Sequence, residues 1–343
     1  MYYHYTSVLN FKNIICNKQL FLSDLEMMND PQEIEVAIGL LSQIIKDNFN
    51  HEEYLNNLYT EFLEHSISRK NVISKEELHE IIVDKNMFEE FLKYLLKECS
   101  IYILSLSSSN DYLPMWNYYS QTSGISFSID LDSLISDINK DEKYCDFCIG
   151  KRDVMYTNNF DKDIIGKELE SIILDYAYIV NYFVKGVSDK KWTINDESEK
   201  LHELCSKIIF LEQENISTLF KEKNFKARLS RFADLIFLFS SIKEETYMYE
   251  NEVRVIAFTY QNETKSEIEN ITICSSHTYP FFRKYIEIPF SQKYIRDITL
   301  APVIKNIPIK EEKIISSLEF FLNKFGGVQK NIDINISKHE TRW

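Results

Sequence analysis

Glycine and proline are scarce in this chain, 7 and 6 of 343 residues, which leaves little room for a flexible linker or a glycine-rich phosphate loop. Neither GxGxxG nor GxxxxGKS/T occurs, so the two common backbone cradles for nucleotide phosphates are excluded. A Gly-x-Ser-x-Gly elbow is also missing, which argues against a Ser-His-Asp hydrolase. Of the six cysteines, only Cys145 and Cys148 form a CxxC, and no second pair of ligands stands at zinc-ribbon spacing. Free thiols in a reducing compartment, and no metal, are the expectation. His51, His65, His79, His202, His277 and His339 are isolated from one another, which speaks against a metal hydrolase. Positive charge is short as well. Lys and Arg number 39 against 53 Asp and Glu, for a formal net charge of -14. That balance does not support an electrostatic grip on nucleic acid or an anionic membrane, although a locally held nucleic acid is not excluded. No uncharged apolar run approaches the ~20 residues that cross a bilayer, and no basic region followed by an apolar stretch opens the chain. A cytoplasmic protein without a membrane segment is expected.

Apolar material is plentiful, at 44% of residues with 14% aromatic. This suits one large α+β domain over 1–343. Alternating or β-rich stretches predict strands at 2–6, 19–23, 101–107, 124–130, 153–156, 248–260, 270–275, 281–290, 295–301 and 332–336. Between them the spacing turns helical. Asn29-Asp30-Pro31-Gln32-Glu33 reads as a helix start with Asp30 as cap and Pro31 in the first turn, leading into Ile34, Ala37, Ile38, Leu41, Ile44 and Ile45. Ser74-Lys75-Glu76-Glu77 is a second capping box. A short helix is predicted around Pro114–Tyr119, and a longer one from Pro308 to Phe325, stopped by Gly326-Gly327. Trp192 falls in a polar interruption. The expected architecture is a central, mostly antiparallel sheet built from both chain ends, with two helical insertions at about 31–99 and 161–245. Those insertions are candidate lids or dimer surfaces, so a homo-oligomer is one expectation.

The segment Tyr249–Phe258 carries the most chemistry. Read as a strand, it places Val253, Val255 and Ala257 on one face and Glu250, Glu252 and Arg254 on the other, before Ile256 and Phe258. Two carboxylates beside a guanidinium can form a salt-bridge ladder or a site. Elsewhere, the first strand sends His4 and Thr6 to one side. Ser105 and Ser107 alternate on a later strand, followed by Trp116, Tyr118 and Tyr119. Trp116 reads as core, and Asn29, Asp30 and Glu33 as helix capping.

Taken together, Tyr-His-Tyr-Thr at 3–6, Asn-Asp-Pro-x-Glu at 29–33, Ser-Leu-Ser at 105–107, Met-Trp-x-x-Tyr at 115–119, Gly-Ile-x-Phe-x-Ile-Asp at 124–130 and Glu-x-Glu-x-Arg at 250–254 resemble, in order over about 2–303, the bacterial family catalogued as domain of unknown function 2971. More distantly, a first-strand histidine, a mid-chain Ser/Tyr segment and a late Glu-x-Glu are similar to the order in ADP-ribosyltransferases. The resemblance implies NAD as substrate, held by His4 and Thr6, with Ser105 and Ser107 supporting the pocket, Tyr119 stacking on nicotinamide and Arg254 holding charge. It implies Glu252 as the group that stabilises the ribosyl cation and Glu250 as the residue that orients the acceptor. The implied activity is modification of a macromolecular target, or NAD hydrolysis, in a toxin or phage-defence effector. A non-catalytic nucleotide- or protein-binding sensor module is the alternative. Catalysis requires His4, a tyrosine and Glu252 to converge on one cleft.

Overall fold

The computed structural model describes residues 1–27, 33–49, 52–64, 74–76, 78–79, 89, 92–93, 96, 99–120, 123–145, 147–158, 165–169, 172–173, 233–260, 269–275, 280–326 and 331–339. The helix start at Asn29, Asp30 and Pro31, the residues around Trp192 and most of the second helical block lie outside these. The fold is α+β, with a large, curled, mostly antiparallel sheet that draws strands from both chain ends. The chain divides into two compact units, one formed by 1–29, 101–156 and 244–343 and the other by 30–100 and 157–243. The second unit gathers the two stretches expected as helical insertions. Within it helix α2 (Glu33–Phe49) packs on α3 (Glu52–Glu64), with Ala37, Ile38, Leu41, Ile44 and Ile45 buried along the predicted stripe.

The first unit holds the sheet. Its strands are β1 (Tyr2–Thr6), β2 (Gln19–Asp24), β3 (Cys99–Ser107), β4 (Ile125–Ile129), β5 (Cys148–Asp153), β6 (Glu252–Tyr260), β7 (Glu269–Ser275), β8 (Pro280–Pro289), β9 (Asp297–Leu300) and β10 (Asp333–Ile336). Along the sheet they run β10-β9-β4-β1-β3-β2-β8-β7, while β6 joins β3 to β5. β1 pairs antiparallel with β3 and β4, β2 with β3 and β8, β4 with β9, β5 with β6 and β7 with β8, whereas β9 and β10 run parallel. β3 is the hub, since it meets β1, β2 and β6. Helix α1 (Val8–Asn17) starts at Ser7, whose hydroxyl accepts from the Asn10 amide, and it ends where Lys18 turns left-handed. It buries Phe11 and Ile15 against the sheet's apolar face, together with Leu104, Leu106, Phe127, Val253, Val255 and Ala257. On the opposite face α4 (Leu113–Tyr119) lays Met115 and Trp116 over Tyr5. Trp116 is core as expected; its Nε1 donates to Asp111 and its ring meets Tyr5 edge-on at 4.8 Å.

Several elements depart from the sequence reading: the strand expected at 153–156 is found as Cys148–Asp153 with a two-residue Met155–Tyr156, and the helix expected from Pro308 begins at Glu311. Helix α5 (Leu131–Ile138) went unpredicted, although Asp130 caps it and Leu131, Leu134 and Ile138 bury one face. The strand expected from 248 begins only at Glu252. Residues Glu245–Glu250 form a 3-10 turn, and Asn251, with φ 43°, makes a left-handed corner between them and the strand. Gly124 is needed where β4 begins, because a Cβ there would run into the Thr6 carbonyl. The neighbour is backbone and cannot swing away. Gly124→Ala is therefore expected to lower stability by about 2 kcal/mol or more, read as a fall in the urea midpoint.

Candidate functional site

The pairing of Tyr3 with Ser107 fixes which side chains share a face. Neighbouring strand residues alternate, so Tyr3, Tyr5, Ser105 and Ser107 stand on one face of the sheet, and His4, Thr6, Leu104 and Leu106 on the other. On the Ser105 face a polar cluster assembles. The Ser105 hydroxyl donates to Glu252 Oε1 at 2.5 Å, and Arg254 Nε donates to the same oxygen at 2.8 Å. A second guanidinium nitrogen lies 3.4 Å from Glu252 Oε2. The pair is deeply buried, with side-chain exposures of 0% for Arg254 and 2% for Glu252. Backbone contacts lock the same strand end: the Glu252 amide donates to Tyr156 Oη at 3.0 Å.

Glu250 reaches the cluster by another route. Because the left-handed Asn251 separates it from β6, strand alternation does not orient it. Its side chain accepts from Tyr119 Oη at 2.6 Å, and its carbonyl accepts from Ser107 Oγ at 2.9 Å. The Ser108 amide donates to the Asn251 carbonyl at 3.0 Å and closes the corner against the end of β3. Burial, and then the charge of Glu250, push the Tyr119 phenol well above its ordinary range, so it stays protonated and donates. The Tyr118 ring, largely exposed, packs near Tyr249 with centroids 5.5 Å apart.

Of the residues singled out in sequence, Ser105, Ser107, Tyr119, Glu250, Glu252 and Arg254 thus meet in one cluster. His4 and Thr6 do not join them. His4 pairs across the ladder with Phe127 on the α1 face, where the two rings meet edge-on at 5.5 Å. With Thr6 it lines a pocket of about 170 Å³ formed by α1 and the start of β2. Burial lowers the His4 pKa to about 4, against a partly opposing hydrogen bond to the Ser105 backbone, and its Nδ1 is buried with no hydrogen-bond partner. The expected convergence of His4, a tyrosine and Glu252 on one cleft is therefore corrected: the sheet itself lies between His4 and Glu252. A dinucleotide held by His4 and presented to Glu252 does not fit this arrangement.

Sequence reasoning passed over Asp111. Burial works upward on its carboxyl, but hydrogen bonds from Ser337 Oγ, the Lys338 amide and Trp116 Nε1 outweigh it and hold the pKa below the ordinary value. It ties the end of the chain's last described segment to the start of α4. Its only sequence signal is the Asp-x-x-Pro approach to that helix. Glu33, read as a capping residue, opens α2 and is buried. Among the described residues no group of three or more His, Cys, Asp or Glu is placed to hold a metal, and no helix is long and apolar enough to cross a membrane. Comparison with protein-family models, with curated proteins and with solved structures finds no match.

Proposed function

We propose that this protein is a non-catalytic, ligand-sensing module and that Glu252 is an architectural residue and not the catalytic carboxylate of an NAD-cleaving enzyme. One observation carries the reading: the Glu252 carboxylate is buried and engaged by Ser105 and Arg254, while His4 faces the other side of the sheet. A carboxylate that stabilises a ribosyl cation has to face the anomeric carbon at the moment of bond breaking. Here both oxygens are turned to the protein's own donors. The Tyr119 hydroxyl is likewise committed, to Glu250. The cluster instead reads as a rigid brace that fixes β3, β6 and α4 to one another beneath a pocket on the far face.

The test is release of nicotinamide from NAD by the full chain, alone and with cell extract as acceptor. No turnover above background is expected from wild type or from Glu252→Gln. Wild-type turnover that falls about a hundredfold or more in a folded Glu252→Gln protein overturns the reading and restores the glutamate-driven mechanism. Tyr119→Phe serves as a second variant, since it removes one hydroxyl from a half-open ring and spares the buried ion pair.

A further inference from the structure

We propose that the pocket between α1 and β2 binds a single nucleobase, presented as a nucleoside or as part of a nucleotide. The proposal rests on the sensing role above and names the ligand class for it. The pocket is lined on its helical side by Asn10, Asn13 and Asn17, spaced i, i+3 and i+7 along one face of a ten-residue helix. Asparagine is a poor helix former, about 0.6 kcal/mol per residue worse than alanine, so three on one face weaken α1 unless the amides do something else. From the strand side comes Gln19. Its Nε2 donates to Glu287 at 2.6 Å, which ties this edge of the pocket to β8. His4 supplies a neutral imidazole whose Nδ1 is buried without a partner. Phe21 adjoins the pocket where β2 passes it, while its ring, 46% exposed, packs on Tyr285 with centroids 4.6 Å apart on the other face of the strand.

The chemistry selects the ligand. Amides present donor and acceptor side by side, which matches the hydrogen-bonding edges of a base, and the apolar Ile14, Leu20 and Leu104 match its flat faces. None of the described lining side chains is a lysine, arginine, aspartate or glutamate, so neither a phosphate nor a cationic ligand has a counter-charge there. The volume, about 170 Å³, lies below the roughly 300–1,000 Å³ of sites for drug-sized ligands and suits one ring system. Recognition then resides in the base, with the sugar and any phosphates directed to solvent.

Titration calorimetry of the full chain with adenosine, guanosine, cytidine and uridine, each alongside its 5′-monophosphate, tests this. At least one nucleoside is expected to bind, with its monophosphate within about threefold in affinity. Asn13→Ala is expected to weaken binding about fivefold or more, the loss of one hydrogen bond, with the melting temperature unchanged or raised because alanine favours the helix. Asn10→Ala gives an independent second variant on the same exposed face. No nucleoside binding at millimolar concentration, binding of monophosphates only, or affinity indifferent to both variants overturns the proposal. NAD turnover lost in Glu252→Gln, with nucleoside binding intact, overturns the sensing reading alone; absent binding with absent turnover overturns the pocket assignment alone.

Discussion

Replacing Arg254 with methionine is expected to lower the unfolding free energy by about 3–5 kcal/mol, the cost of leaving a buried carboxylate without its cation. Arg254 is fully buried and Glu252 nearly so, which means water cannot take over when the guanidinium is removed. Ser105 remains as a donor, but one neutral hydroxyl does not offset the desolvation of a full charge. Glu252→Gln makes the converse error, since the guanidinium stays buried and faces an amide. The double variant Glu252→Gln with Arg254→Met removes both charges, so it is expected to lose clearly less than the two single losses added, with a coupling of about 1–3 kcal/mol. Urea unfolding of the four proteins measures this. A single Arg254→Met loss under about 1 kcal/mol would mean the pair is not sealed as described, and the case against a working Glu252 would lose its foundation.

The same strand marks how far the sequence carries. The split of Val253, Val255 and Ala257 from Glu252 and Arg254 is legible, because period-two alternation is a property of the strand alone. The position of Glu250 is not, because a local left-handed corner at Asn251 breaks the alternation just before it. Asparagine tolerates that conformation without demanding it, so nothing in the sequence announces the turn. Nor can the opposition of His4 and Glu252 be read in advance. Alternation tells which residues of one strand share a face, but not which face of its neighbour they match. That is settled by the Tyr3–Ser107 register across more than a hundred residues, and a slip of one would have brought His4 to the glutamate side. Helix α5 differs, since its Asp130 cap and its Leu131, Leu134, Ile138 spacing are both present in the sequence, directly behind the alternating residues of β4.

Unfolding stability is expected to fall by about 3 kcal/mol between pH 6.5 and pH 4 through His4 alone. Burial holds its native pKa at about 4, whereas the unfolded side chain titrates near its model value of 6.5. Above pH 6.5 both states are neutral and the contribution is complete. As the pH drops through the interval, the unfolded chain takes up a proton that the native ring refuses, and the equilibrium tilts toward unfolding by about 1.36 kcal/mol per pH unit. Below pH 4 both states are protonated and the loss levels off. No charged neighbour figures in the shift; the ring meets Phe127 edge-on and the Ser105 backbone. Asp111 and Asp130, with pKa values held below the ordinary carboxylate value, give up their contributions at lower pH, while Asp297, raised by burial, opposes the loss at the acid end. His4→Gln keeps a neutral polar group on the α1 face and cannot titrate, so its urea midpoint is expected to change less steeply with pH than that of wild type. Equal slopes for the two proteins would place His4 in solvent, and with it the floor of the α1–β2 pocket.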